Sequence, residues 1–308
     1  MTCALTIGNF DGVHRGHQVL LQKTIEYSTS KQIESIAYTF EPHPRELLGS
    51  RPIPERLCTP EDKIQKLKSF GIQKVHVQTF DRQFSDLTAI EFLTLLKNDF
   101  NPRYVVVGEN FFFGRNRSGS SLDLINWGKS HQIDIEILPT IEIDGLKVSS
   151  SEIRTALNEG LIQKVNKMCG YPYSVSGIQV QGDGRGRVIG IPTLNLSVPR
   201  IRKRDSVDIS LCLPPHGVYV TLVKIENSTI EYPAITNFGI RPTFYKEVGD
   251  EFFESHVLIP WVKPMSESKI TVKFLDRIRS EQRFASQDEL LKQIQIDIAF
   301  ARSFHALT

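Results

Sequence analysis

The sequence predicts an α/β domain, a parallel sheet with helices on both faces, joined to a six-stranded antiparallel β-barrel that ends in a helix. Three observations carry this. Short apolar runs alternate with helical patterns from residue 4 to about residue 168, the rhythm of strand–helix units around a parallel sheet. From about residue 172, six strand-like runs follow one another through Gly, Pro, Asn and Asp turns with no helix between them, which suits a small barrel. A chain of 308 residues also exceeds what one hydrophobic core usually organises. Domains are therefore set at 1–168 and 172–308, with a hinge at Cys169-Gly170-Tyr171-Pro172.

In the first domain, strands are read at 4–7, 35–40, 75–79, 104–107 and 133–137, and helices at 14–27, 60–69, 88–97, 121–130 and 150–158. In the second, strands are read at 174–180, 187–191, 218–225, 230–235, 253–259 and 270–275. The closing helix starts at a capping box, Ser286 with Glu289. Leu290, Ile294, Ile298 and Ala301 recur on one of its faces, which is expected to pack on the barrel.

The net charge is +2 and evenly spread, with 20 basic against 20 acidic residues over 1–170 and 17 against 15 over 171–308. No domain-wide basic field invites nucleic acid or an anionic membrane, and neither is expected as a partner. Cys3, Cys58, Cys169 and Cys212 are isolated, without CxxC spacing. That excludes a disulfide framework or a zinc site of cysteines and fits a reducing cytoplasm. The chain opens directly in a strand and has no apolar run of membrane-spanning length, so a cytoplasmic location is expected.

Gly8-Asn9-Phe10-Asp11-Gly12-Val13-His14-Arg15-Gly16-His17 follows the first strand and opens the first helix. Glycines there let backbone approach a ligand, and Asp11 is expected to cap the helix. His14 and His17, three apart, share one face of the first turn. Free N–H groups, a positive helix end and two imidazoles converge on one point, and the ligand such a point wants is a phosphate. Two histidines three apart also suit a metal, and Gly-Asp-Gly clusters also make plain structural turns. The stretch is not a dinucleotide GxGxxG. Gly128-Lys129-Ser130 is not a phosphate loop either, since Asp123 stands where the first glycine belongs.

This stretch resembles the HxGH-type nucleotidyltransferases and, more narrowly, the bacterial bifunctional riboflavin kinase/FAD synthetase family. Thr39-Phe40-Glu41-Pro42-His43-Pro44-Arg45, Val107-Gly108-Glu109-Asn110-Phe111-Phe112-Phe113-Gly114, and Val148-Ser149-Ser150-Ser151 with Arg154 match in order. The resemblance implies adenylylation of FMN to FAD with release of pyrophosphate. His14 and His17 are then catalytic, with Gly8, Phe10, Asp11, Gly16, Ser150, Ser151 and Arg154 around the ATP phosphates. Asn110 and His43 are implied on the flavin side. Where the family often carries an arginine this chain has Glu152, which also completes a capping box with Ser149.

A second stretch, Gly182-Asp183-Gly184-Arg185-Gly186-Arg187-Val188-Ile189-Gly190-Ile191-Pro192-Thr193-Leu194-Asn195-Leu196, lies among strands. Its glycines alone would make a flexible hairpin. Thr193 and Asn195 alternate onto one face of an extended segment, a hard-oxygen pair suited to Mg²⁺ carrying ATP phosphates. The stretch resembles the kinase half of the same family, as do Gly217-Val218-Tyr219, Asn237-Phe238-Gly239-Ile240-Arg241-Pro242-Thr243-Phe244 and Phe253-Glu254-Ser255-His256-Val257-Leu258. The resemblance implies that ATP phosphorylates riboflavin to FMN there. Glu254 is the implied base, Thr193 and Asn195 the metal ligands, Gly182 and Gly186 the nucleotide loop, and Arg279 and Glu281 flavin contacts. A nucleotidyltransferase for another phosphate acceptor leaves Thr193, Asn195 and Glu254 unexplained. A flavin carrier without catalysis leaves both histidines unexplained as well.

Overall fold

The computed structural model describes residues 2–49, 53–182, 190–198, 210–240, 251–261 and 267–306. The chain divides into two compact units, Met1–Glu152 and Ile153–Thr308.

In the first unit β1 (Cys3–Ile7), β2 (Glu34–Glu41), β3 (Lys74–Thr79), β4 (Pro102–Gly108) and β5 (Asp134–Leu138) form one sheet in the order β3-β2-β1-β4-β5. Every pair is parallel, as the alternating pattern predicts. Strands covered on both faces need apolar residues at every position, and all five residues of β1 are buried. Cys3, Leu5 and Ile7 join one core and Ala4 the other.

Helices α1 (Arg15–Lys31) and α3 (Pro60–Ser69) bring Leu20, Leu21 and Leu67 to the second core, on one face of the sheet. On the opposite face, α5 (Ala89–Phe100) and α6 (Ser121–His131) bring Phe92, Leu96 and Leu124 to the first. The one-turn helices α2 (Pro44–Leu47) and α4 (Arg82–Ser85) and the hairpin β6 (Glu142–Ile143)–β7 (Leu146–Lys147) are too short to show a period in sequence. Because β1 lies between β2 and β4, the winding reverses there. The crevice beyond its carboxyl end is where ligands of such sheets bind.

In the second unit β8 (Ser174–Val180), β9 (Leu194–Ser197), β10 (Gly217–Ile225), β11 (Glu231–Ile240), β12 (Glu251–Val257) and β13 (Lys269–Ser280) close into a barrel. The order is β10-β11-β12-β9-β8-β13 and all pairs are antiparallel. The strand expected at 187–191 falls mainly on residues outside those described, and Gly190 and Ile191 lie outside any strand. Pro192 cannot donate to a ladder, and the strand that closes the ring begins at Leu194. Tyr219, Phe238, Phe253 and Phe274, from four strands, meet ring to ring inside. A buried hydroxyl chain, Thr221–Thr236–Ser255, lies among them at 2.7 and 2.8 Å.

Outward-facing Val218, Val220 and Ile235 lie beneath the terminal helix α9 (Gln287–Phe304), which offers Ile298 and Ala301. Ser286 caps it, accepting from Glu289 N at 3.2 Å. The helices α7 (Ser150–Asn158) and α8 (Ile162–Cys169) precede the barrel. Ile162, Val165 and Met168 of α8 are buried. Asn166 donates from Nδ2 to the Phe274 carbonyl of β13 at 2.8 Å, and its Oδ1 accepts from Tyr173 N at 2.7 Å. Residues 162–168, which the sequence reading leaves with the first domain without reading a helix there, are thus joined to a barrel strand.

Candidate active sites

The first site grows from the turn after β1. Phe10, Gly12 and Val13 all take positive φ, 50°, 77° and 38°, the left-handed region that costs most for a β-branched residue. Gly12 has no alternative, because a Cβ would also sit 2.9 Å from Leu57 Cδ1. This backbone sends the buried Asp11 carboxylate away from α1. Its Oδ1 accepts from Leu57 N at 3.0 Å, while Cys58 Sγ accepts from Gly12 N at 3.4 Å. Asp11 therefore does not cap α1, contrary to the sequence expectation. His14 is the cap, its Nδ1 accepting from His17 N at 3.4 Å.

The two imidazoles stack at 3.6 Å and 15°, with Phe10 edge-on to His17 at 5.2 Å. Gly16 lies against the His14 ring, and Gly8 N donates to Tyr38 O at 3.1 Å. Ser150, first residue of α7, donates to the Asp11 carbonyl at 3.0 Å and so reaches the same turn. Ser151 is exposed and Arg154 half-buried on that helix, and Glu152 N donates to Ser149 Oγ at 3.2 Å. His17 Nδ1 is buried without a hydrogen-bond partner among the described residues. Desolvation, reinforced by the His14 imidazole and the Lys63 ammonium, holds His17 well below its usual pKa, so it is neutral.

Beside Gly8 and Asn9 a cavity of about 350 Å³ is lined by Phe40, Phe80, Phe84, Phe92 and Phe113, with Asn110 among its polar residues. Its size and apolar walls are those of a small-molecule site. Asn110 Nδ2 donates to Thr140 Oγ1 at 3.1 Å. His43 is buried and caps α2, accepting from Arg45 N at 3.2 Å, so one ring nitrogen serves the backbone.

Beneath both features runs an ion network that sequence reasoning missed. Arg56 Nη2 meets Glu41 Oε2 at 2.6 Å and its Nε meets Glu46 Oε1 at 2.8 Å. Lys63 Nζ meets Glu41 Oε1 at 2.5 Å and donates to the Phe40 carbonyl at 3.2 Å. Both cations are buried. The one sequence signal was Lys63 standing one turn from Leu67 on the core-facing side of α3.

The second site is set by strand register. Asn195 of β9 lies directly opposite Glu254 of β12, and Glu254 directly opposite Asn237 of β11. Since Phe253 and Ser255 point inward, this row lies on the outer wall. Asn195 is nonetheless buried, and its Oδ1 has no hydrogen-bond partner among the described residues. Gly182 closes over it, and a Cβ there would strike the Asn195 amide. Thr193 and Glu254 are half-buried. Gly186 lies outside the described residues. Arg279 is engaged elsewhere, its Nη2 2.7 Å from Asp297 Oδ2 of α9 and its Nη1 donating to the Ser280 carbonyl at 3.0 Å. The Glu281 carboxylate lies against the Gly239 backbone.

The chain matches the FAD synthetase family over residues 1–152 and the riboflavin kinase family over 169–305. It is 37% identical over 307 residues to the bifunctional riboflavin kinase/FMN adenylyltransferase of Escherichia coli K12, covering 99% of this chain and 94% of that one. The enzymes of that description from Pseudomonas fluorescens and Bacillus subtilis are each 32% identical, covering 99% and 95% of this chain and 93% and 89% of their own lengths. A crystal structure described as a macrolide-efflux protein of Streptococcus pneumoniae superposes with a TM-score of 0.83 at 29% identity, covering 98% of this chain and 94% of that one. No helix among the described residues is long and apolar enough to cross a membrane. With a parallel-sheet FAD synthetase domain followed by a riboflavin kinase barrel, the chain belongs to the family of bifunctional riboflavin kinase/FMN adenylyltransferases.

Proposed function

We propose that the barrel unit transfers the γ-phosphoryl group of ATP to riboflavin, and that the sheet unit then joins FMN to AMP from a second ATP. The observation that carries the first step is the cross-strand pair Asn195–Glu254. Glu254 takes the proton of the ribityl 5′-hydroxyl as that oxygen attacks the γ-phosphorus. The bond from the γ-phosphorus to the bridging oxygen breaks, and ADP leaves. The donor set beside Glu254 fits Mg²⁺: the orphaned, buried Asn195 Oδ1 and the Thr193 hydroxyl are hard oxygens. Bound there with ATP, the ion would neutralise charge on the phosphates.

In the sheet unit an FMN phosphate oxygen attacks the α-phosphorus of ATP and pyrophosphate leaves. No covalent nucleophile is required, so alignment and charge stabilisation suffice. His14 and the neutral His17 at the start of α1 each offer an imidazole donor to the phosphates, with Ser150, Ser151 and Arg154 as further donors. The aromatic cavity beside Gly8 takes the isoalloxazine ring, with Asn110 on its polar side; His43, which caps α2, stands next to Pro44 and Arg45 of the lining and acts on the flavin through them. The near-balanced charge and isolated cysteines favour a cytoplasmic enzyme acting on small molecules.

Incubation with riboflavin, ATP and Mg²⁺, followed by chromatography, tests this. FMN appears first and FAD follows. Conversion of neither riboflavin nor supplied FMN overturns the reading.

A further inference from the structure

Two arginines, Arg45 and Arg117, line the phenylalanine-walled cavity of the sheet unit. Arg45 belongs to α2, after β2; Arg117 belongs to the turn Arg115–Arg117, after β4. They therefore flank β1, whose carboxyl end brings Gly8 and Asn9 into the same cavity. Arg56 and Lys63 of this unit are each paired with Glu41. Arg45 and Arg117 are exposed and have no carboxylate partner among the described residues. Arg117 lies over the Phe112 ring, its guanidinium carbon 4.5 Å from the centroid. It does so from a left-handed backbone, φ 56° at Asn116 and 59° at Arg117, which non-glycine residues adopt only at a cost.

An aromatic cavity grips the isoalloxazine of riboflavin and of FMN alike. The two flavins differ only by a phosphate, and guanidinium forks are the donors best matched to phosphate oxygens. A chain that meets both flavins needs a feature that separates them, or riboflavin blocks the adenylyl site. We propose that Arg45 and Arg117 bind the phosphate of FMN and so select the phosphorylated flavin over riboflavin for adenylyl transfer. This rests on the reading of the cavity as the flavin site of that step.

The test uses the full chain, FMN and ATP, with 5′-deoxyriboflavin as competitor, a flavin lacking the hydroxyl that a kinase phosphorylates. Arg45→Gln and Arg117→Gln are each expected to raise the KM for FMN about tenfold. The inhibition constant of 5′-deoxyriboflavin and the KM for ATP stay unchanged. An unchanged FMN KM, a parallel loss for both flavins, or a rise confined to ATP overturns the proposal. If the wild-type chain forms no FAD, the reading of the site fails on its own. Equilibrium binding of FMN and of 5′-deoxyriboflavin to the same variants, read by flavin fluorescence, then still decides the arginines.

Discussion

Asn195 and Glu254, far apart in the chain, are direct cross-strand partners on the outer wall of the barrel. Such a pair holds its Cβ atoms about 5 Å apart, close enough for one residue to bind a phosphate-bound ion while the other takes a proton. Glu254→Gln keeps the shape and removes the base. Riboflavin phosphorylation is expected to fall about 10²–10⁴-fold, while FMN supplied directly still becomes FAD. An unchanged kinase rate would assign the proton to another group.

Gly182 lies so close to Asn195 that any side chain must displace the amide. Gly182→Ala is therefore expected to raise the Mg²⁺ or ATP concentration needed for half-maximal kinase activity, and Asn195→Ala is expected to do the same. The double variant should be no worse than Asn195→Ala alone, because both act on one oxygen. Additive losses in a steady-state assay would separate the two residues.

His17 is held neutral by burial, with a folded pKa below the 6.5 of an unperturbed imidazole. As pH falls below about 6.5 the unfolded chain takes up this proton before the folded one does. The contribution to stability is full above that value and is lost progressively toward lower pH, down to the folded pKa. Melting of the wild-type chain between about pH 7.5 and about pH 5.5 should show a loss that His17→Asn reduces. Equal pH dependence in both would show that the ring is solvated. His17→Ala should also lower FAD formation steeply and let FMN accumulate.

Arg56 bridges Glu41 and Glu46 inside the sheet unit. Arg56→Met leaves both carboxylates without their shared cation, and the loss of one partner from a buried pair costs about 3–5 kcal/mol. Thermal unfolding followed together with each activity should show the adenylyl step lost at lower temperature and the kinase step retained.

The helix α8 bears on how the chain can be cut. Ile162, Val165 and Met168 are buried, and each such side chain is worth about 1.5–3 kcal/mol. A fragment of residues 153–308 is expected to fold and convert riboflavin to FMN without making FAD. A fragment of residues 172–308 should melt at a lower temperature, by circular dichroism. Equal melting of the two would show that α8 adds nothing to the barrel.

The inner sheet strands β1, β2 and β4 were legible because burial on both faces demands continuous apolar runs, and the edge strands β3 and β5 because apolar and polar residues alternate along them. His14 and His17 were legible because their spacing already puts them on one helix face. Their stacking, and the transfer of the cap from Asp11 to His14, depend on left-handed backbone at Phe10 and Val13, which neither residue type announces. Helix α8 was not legible: Gln163, Lys164, Asn166 and Lys167 leave a single narrow apolar stripe, and Gly170-Tyr171-Pro172 reads as a break. Arg56 and Lys63 find their partners through tertiary contacts that leave no local period. Asn195 and Glu254 were each named from motifs, but their adjacency is a matter of register, which only the closed ring specifies.

That ring is unevenly sewn. Strands β10 and β13 pair along nine positions, whereas the four-residue β9 is stitched to each neighbour by three. The thinnest stave of the barrel carries Asn195 and directly follows Thr193. A nucleotide bound through those two residues, as proposed, would also hold the hoop shut, so that binding and closure would share one equilibrium. Amide exchange along 194–197 is expected to slow when ATP and Mg²⁺ are added, more than along β10.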